Sequence, residues 1–342
     1  MANETAIEWT DLSWNPVHGC SKLSPGCAHC YAETLSRRYR QTLLPWTPEN
    51  AAQNVILKPH KLKEPLSNRK EWREPKMVFV NSTSDLFHEL VPDEFIAEVF
   101  AVMACAPQHT FQVLTKRPER MATLLADVIF WQHVLGAVQA LRQQAELPSP
   151  LEMDGGGLPQ VVRPLPNCWL GTSIENRRYV WRADALRETP AAVRFISAEP
   201  LLGPLIYDDF KLIDPCNEGY ARWSDGTDIP ELDLTSIDWL IVGGESGPGH
   251  RPMNLDWVRD LRDAALATNP LGDQRLAQME RPALDPGPEG PPLEGPGSCH
   301  PRVVPPHRVR FFFKQVGGAT SKAGGRELDG RTWSEMPEVA RG

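Results

Sequence analysis

Cys20, Cys27 and Cys30 place three thiols within eleven residues of a 342-residue chain. Gly19, Pro25 and Gly26 lie among them and bend the backbone, which lets separated cysteines converge on one centre instead of projecting along a helix or strand. Thiolates gathered in this way ligate soft metals. Closed zinc sites take four protein ligands, whereas an iron–sulfur cluster prefers thiolates throughout. Here the thiolates number three, and His18 and His29 are the neighbouring candidates for a fourth zinc ligand, His29 directly abutting Cys30. Three readings stand side by side: a four-iron cluster on three cysteines, a zinc site completed by His18 or His29, and unliganded thiols.

The elements that must position this loop follow a recurring plan. Ala6 to Leu12 reads as a first strand entering the loop, and Tyr31 to Arg40 as a helix with basic residues at its C-terminus, where the helix dipole favours them. Met77–Asn81 reads as a strand, followed by a helix that Pro92 and Asp93 open and that carries Ile96, Val99, Phe100 and Met103 on one face. Thr110–Leu114 is the next strand, with a helix from Pro118 running past Leu125. Cys168–Gly171 then precedes a helix over Arg177–Arg187, and Val193–Ile196 and Trp239–Val242 precede a helix from about Leu255 to Leu266. Arg310–Phe313 is the last strand.

Apolar strands without alternation are buried on both faces, and their alternation with amphipathic helices implies parallel βαβ units. The expected fold is therefore α/β: a complete or partial TIM-type (βα) barrel of about seven parallel strands, one domain over residues 1–342. Three loop insertions interrupt it, at about 144–166, 207–236 and 282–306; the last holds nine of the 33 prolines. In such barrels the side chains at the C-terminal strand ends surround the active site. Those ends carry Ser82, Asp85, Lys116, Arg117, Ser173, Glu175, Glu199, Glu245 and Lys314. Lys116, Arg117 and Lys314 suit a phosphate or carboxylate, while Glu175, Glu199 and Glu245 could hold amines, hydroxyls or a transferred proton.

The net charge of −8 argues against a protein that coats nucleic acid through a general positive field. Between Lys58 and Lys76 seven basic residues face Glu64, Glu71 and Glu74, which reads either as a solvated connector or as a contact for a phosphate backbone. No apolar run approaches the roughly 18 residues of a membrane span. The N-terminus lacks a signal peptide's basic and apolar regions, and seven cysteines with three clustered do not read as a secreted disulfide framework. A soluble protein in the reducing cytoplasm is expected, with no membrane partner.

The segment Cys27-Ala28-His29-Cys30-Tyr31 resembles the motif of radical S-adenosylmethionine (SAM) enzymes, Cys-x3-Cys-x2-Cys with an aromatic residue before the last cysteine, here with a first gap of six residues. More widely, the chain resembles an uncharacterised, phage-associated family of three-Cys-motif proteins that is radical-SAM-like. The resemblance is carried by Trp14-Asn15-Pro16, the cysteine loop, Asn81 to Phe87, Leu114 to Pro118, Glu199 to Pro204, Gly243 to Pro248 and Phe311 to Gln315. It implies a 4Fe-4S cluster on Cys20, Cys27 and Cys30, with SAM on the open iron. His29, Ser82, Asp85, Ser173 and Glu175 would then hold the cofactor. Lys116, Arg117, Glu199, Glu245 and Lys314 would serve catalysis on an unknown polar or anionic substrate, nucleic acid or a small molecule, with an external electron donor. Gly243-Gly244-Glu245 follows a late strand, whereas the Gly-Gly-Glu of radical-SAM enzymes follows the second, so its SAM-contacting role is not carried over. The rival class is a zinc-stabilised nucleic-acid- or protein-binding protein without redox chemistry.

Overall fold

A computed structural model describes residues 3–5, 7–145, 164–206, 231–267, 308–320 and 323–338. Most of the three expected insertions lies outside the described residues, as do Cys216 and Cys299. In chain order the elements are β1 (Asn3–Glu4), β2 (Leu12–Trp14), β3 (Val17–His18), α1 (Tyr31–Arg38), α2 (Ala51–Asn54), β4 (Ile56–Leu57), β5 (Met77–Val80), α3 (Asp93–Ala104), β6 (Thr110–Thr115), α4 (Pro118–Ala126) and α5 (Val128–Ala145). There follow β7 (Cys168–Ser173), α6 (Trp181–Glu188), β8 (Val193–Ala198), β9 (Trp239–Gly243), α7 (Leu255–Leu266), β10 (Arg310–Gln315), β11 (Glu327–Leu328) and β12 (Arg331–Thr332).

One sheet runs β1-β2-β5-β6-β7-β8-β9-β10. From β2 onward its seven strands are parallel and lie in sequence order, curled into a half-barrel. The expected barrel is thus the partial one. Parallel neighbours need a crossover between them, and among the described residues helices supply it everywhere but between β8 and β9.

Both faces of the sheet are covered, which is why its strands read as unbroken apolar runs. Val78, Val80, Phe111, Val113, Leu170, Ile196, Leu240, Val242, Phe311 and Phe313 pack with the helices. The alternate positions Phe79, Trp169, Phe195, Trp239, Ile241 and Phe312 form a second cluster with Trp9. Its rings meet edge-on or tilted, with Trp9 4.8 Å from Phe79 and 6.1 Å from Trp239, and Trp169 5.8 Å from Trp239. This plug fills the concave side beneath the strand ends that bear the candidate residues.

Several boundaries differ from expectation. The first parallel strand is Leu12–Trp14, not Ala6–Leu12, because the chain turns at Ile7–Thr10, drops Trp9 into the plug and is pinned by the Asp11 carboxylate accepting from the Met77 amide at 2.8 Å. Helix α1 stops at Arg38, where Arg40 takes a positive φ of 52° and the Gln41 amide bonds back to the Ser36 carbonyl at 2.8 Å. The Arg177–Arg187 helix begins as a 3-10 turn at Arg177–Tyr179 before α6. Helix α5 was not anticipated; the Asp127 carboxylate caps it by accepting from the Ile129 amide at 2.8 Å. The basic stretch Lys58–Lys76 is built of three short 3-10 turns that bury Leu62 and Trp72, and its Lys61 carbonyl accepts from the Trp14 indole at 2.9 Å. Among the described residues no single helix is long and apolar enough to cross a membrane.

Candidate metal centre

The loop between β3 and α1 carries all three clustered thiols, each free and partly exposed. Its entry is set by Gly19, whose φ of 80° and close approach to the Asn54 carbonyl admit no side chain: a Cβ would lie 1.9 Å from that oxygen. The Gly19 amide donates to the Thr83 carbonyl at 3.1 Å, tying the loop to the end of β5. Asn15 secures the same end, its Oδ1 accepting from the Thr83 amide at 3.0 Å and the Ser82 hydroxyl at 3.2 Å, while the Tyr31 hydroxyl donates to the Ser82 carbonyl at 2.5 Å.

Further strand ends hold the loop at three points. After β6, Arg117 donates to Asp85 at 3.1 Å, to Glu89 at 2.8 Å, to the Ser21 hydroxyl at 3.2 Å and to the Cys20 sulfur at 3.7 Å. After β7, the buried Glu175 accepts from the Gly26 amide at 3.3 Å and from Arg182 at 3.1 Å, with the Lys116 ammonium 3.9 Å away. After β9, Glu245 meets His29 at 3.1 Å and takes three bonds from Arg251, whose Nη1 also donates to the Pro25 carbonyl at 3.0 Å.

These contacts sort the expected site residues. Asp85 is filled from within, accepting from Thr115, the Lys116 and Phe87 amides and Arg117, so its carboxylate acts on the loop's support. Arg117, Glu175 and Glu245 likewise hold the loop. Glu199 and Lys314 form a separate pair at 2.8 Å, with the Ser197 hydroxyl donating to Glu199 at 3.1 Å. Ser173 contributes its carbonyl to Arg182 at 2.8 Å. Arg251, Arg182, Glu89, Ser21 and Asn15 escaped the sequence reading. Only Asn15 carried a signal, its place in the Trp-Asn-Pro motif; Ser21 and Glu89 are defined by Arg117, distant in the chain, while Arg182 and Arg251 lie six or seven residues beyond their carboxylates in spans that carry no motif of their own.

Electrostatics follow the same layout. Burial pushes the Cys20 thiol up to about 12, Asp85 adding to the rise and Arg117 opposing it, and burial also raises Cys30. Burial alone would raise Glu245, yet the hydrogen bonds from Arg251 and His29 bring it down to about 2. Burial and the charges of Lys58 and Lys61 lower His18 to about 4. Both His18 ring nitrogens are occupied, by Ser36 at 2.9 Å and Thr83 at 3.3 Å, which counts against its serving as a zinc ligand.

Among the described residues no three or more His, Cys, Asp or Glu side chains are gathered around a point that would hold a single metal ion. The donor set nevertheless fits an iron–sulfur cluster: three free thiols on one loop, with cations at hand to balance thiolate charge. Arg117 touches Cys20, Lys116 favours the thiolate of Cys30, and Cys27 lies within the field of Arg182.

A family model described as "Protein of unknown function (DUF5131)" matches residues 4–270. No curated protein matches the chain. Among solved structures, a spore photoproduct lyase double mutant with bound AdoMet and dinucleoside spore photoproduct is 10% identical at a TM-score of 0.33, covering 77% of this chain and 63% of that one. A single mutant with dinucleoside spore photoproduct is 10% identical at 0.34, covering 77% and 62%. The chain thus spans less than two thirds of the length of those proteins, and the fold described above rests on strand order alone.

Proposed function

The chain belongs to the DUF5131 family, and we propose that it is an iron–sulfur enzyme of the radical SAM type, acting on a polar or anionic substrate. One observation carries this reading. A loop with three free thiols is tied separately to the C-terminal ends of β5, β6, β7 and β9, above an aromatic plug that closes the half-barrel from below.

Cys20, Cys27 and Cys30 would hold a 4Fe-4S cluster, and His29, Ser82 and Ser173 are the residues we assign to SAM. Bound together, these groups would supply one-electron reductive cleavage of SAM and hydrogen-atom abstraction from the substrate. The protein's own part is support and orientation. Asp85 and Arg117 fix the Cys20 end of the loop, Glu175 fixes Gly26, and Glu245 with Arg251 fixes the His29 turn. Lys116 and the Glu199–Lys314 pair remain to orient substrate, Lys116 as a mobile positive charge for a phosphate or carboxylate and Glu199 for an amine or hydroxyl. The plug excludes water from below.

Anaerobic reconstitution tests the reading. We expect a brown protein with about four irons per chain, lost on Cys20→Ala, Cys27→Ala or Cys30→Ala and retained on Cys105→Ala or Cys168→Ala, and 5′-deoxyadenosine formed from SAM under dithionite. A colourless protein with stoichiometric zinc and no iron uptake overturns it and returns the loop to a structural role.

A further inference from the structure

Immediately beyond Cys30, helix α1 turns an apolar stripe to solvent. Tyr31, Leu35 and Tyr39 follow at i, i+4 and i+8, the spacing of one helix face, and are 52%, 38% and 65% exposed. Leu43 and Leu44, in the segment that follows the helix, are also exposed, at 75% and 38%. Large apolar side chains clustered in this way mark an interaction surface more often than scattered ones do.

Within residues 31–44 the exposed charges are of one sign. Arg37, Arg38 and Arg40 are exposed, with the Arg38 guanidinium 5.9 Å from the centre of the Tyr39 ring. Glu33, the only acid between residues 31 and 44, is buried and taken up by Lys22 at 2.9 Å and by the Trp46 amide at 3.0 Å. A basic, apolar face therefore stands beside a thiol of the metal loop on a chain whose net charge is −8.

We propose that this face docks a small acidic one-electron carrier protein, which is oxidised by one electron as the cluster is reduced by one; the inference rests on the radical SAM reading. Three considerations select this occupant. Tyr31 is the chain neighbour of Cys30, so a carrier seated here lies close to the ligated iron. Carrier encounters use small interfaces and gain their rate from charge complementarity, and three arginines around a few apolar residues match that pattern. Single-stranded nucleic acid needs successive stacking platforms, and the two rings here, Tyr31 and Tyr39, stand eight residues apart, about 12 Å along the helix, with Leu35 between them. A two-fold contact between copies of this chain would bring the arginines against one another.

The test uses purified flavodoxin, an acidic flavin carrier, with the Arg37→Glu/Arg38→Glu and Tyr39→Ser/Leu43→Ser variants. These exposed substitutions should leave thermal unfolding unchanged. In a titration of fluorescently labelled flavodoxin with apo-protein at low salt, the charge-reversal variant should bind about tenfold more weakly. With reconstituted protein, the flavodoxin concentration giving half-maximal 5′-deoxyadenosine formation should rise by about the same factor and climb steeply with salt, while the dithionite-driven rate stays unchanged. Equal binding and equal half-saturation in both proteins overturn the proposal. So does binding of a labelled oligonucleotide, or self-association of the chain, that the same substitutions abolish. Absence of 5′-deoxyadenosine with dithionite in the unaltered protein overturns only the enzymatic reading, and the apo-protein titration still decides the docking face.

Discussion

Glu245 shows how single residues at the strand ends serve the loop before they serve any substrate. Its carboxylate is 5% exposed and answers to Arg251 and His29 together, which places its folded pKa at about 2 against 4.5 for the free side chain. A carboxylate depressed on folding stabilises the native state fully above its unfolded pKa, and that contribution is lost as pH falls through the folded value. The difference amounts to about 3 kcal/mol, present at neutral pH and eroding between about pH 4.5 and 2. In urea unfolding of the apo-protein from pH 6 to pH 3, Glu245→Gln should be less stable at pH 6 and show a flatter decline toward pH 3. Parallel pH profiles for the two proteins would mean that the carboxylate is not held as described. The sequence placed Glu245, Arg117, Glu175 and Asp85 at strand ends correctly, since a charge directly after a buried strand has few other destinations. It could not show that they turn toward the cysteine loop, because Gly26, His29 and Ser21 become their partners only when the strands bring residues about 100 to 200 positions apart together.

At the scale of elements, β3 and β4 form a two-residue antiparallel ribbon that stands outside the main sheet and carries the chain into the metal loop. Gly19, one residue past β3, is where the ribbon closes against Asn54. Gly19→Ala meets two penalties, a positive φ and a Cβ that would stand 1.9 Å from a backbone oxygen. We expect a loss of at least about 2 kcal/mol in chemical denaturation, the scale of a left-handed non-glycine position, and poorer iron retention than the similarly placed but open Gly247→Ala. An unchanged midpoint would show that the ribbon can shift without disturbing the loop. Ribbons this short carry no periodicity to read, and β1, β3 and β4 were accordingly missed. The parallel strands were legible to within one or two residues, apart from the first, because burial on both faces leaves apolar runs such as Met77-Val78-Phe79-Val80 and Trp239-Leu240-Ile241-Val242. Helix α5 was illegible for the opposite reason. It is apolar on several sides, packing Phe130 and Trp131 around Phe100 of α3, so no single stripe announced it.

A half-barrel has two edges, and the whole molecule depends on how they are covered. At one, β1 pairs antiparallel with β2. At the other, the segment after β12 lies antiparallel along β10: Phe312 bridges Ser334, the Phe313 amide donates to the Trp333 carbonyl at 3.0 Å, and the Glu335 amide donates to the Phe311 carbonyl at 3.1 Å. The Trp239 indole reaches the Glu335 carbonyl at 2.9 Å, and the Trp333 ring packs 5.8 Å from Phe311. Removing residues 327–342 would strip these bonds and uncover an apolar parallel edge, a template for pairing with another chain. With two backbone hydrogen bonds, the Trp239 indole bond and one large aromatic side chain lost, the stability deficit should be at least about 3 kcal/mol. Size-exclusion chromatography with light scattering should show dimers and larger species, growing with concentration. Replacing 282–306 with a few Gly and Ser residues should do neither, because its composition offers no apolar face and closure entropy changes by only about 0.6 kcal/mol for each doubling of loop length. The two deletions lie on either side of the same strand, so their contrast isolates the edge. If the shortened insertion aggregates while the truncated chain remains monomeric and stable, then it is the insertion, and not the segment after β12, that guards β10.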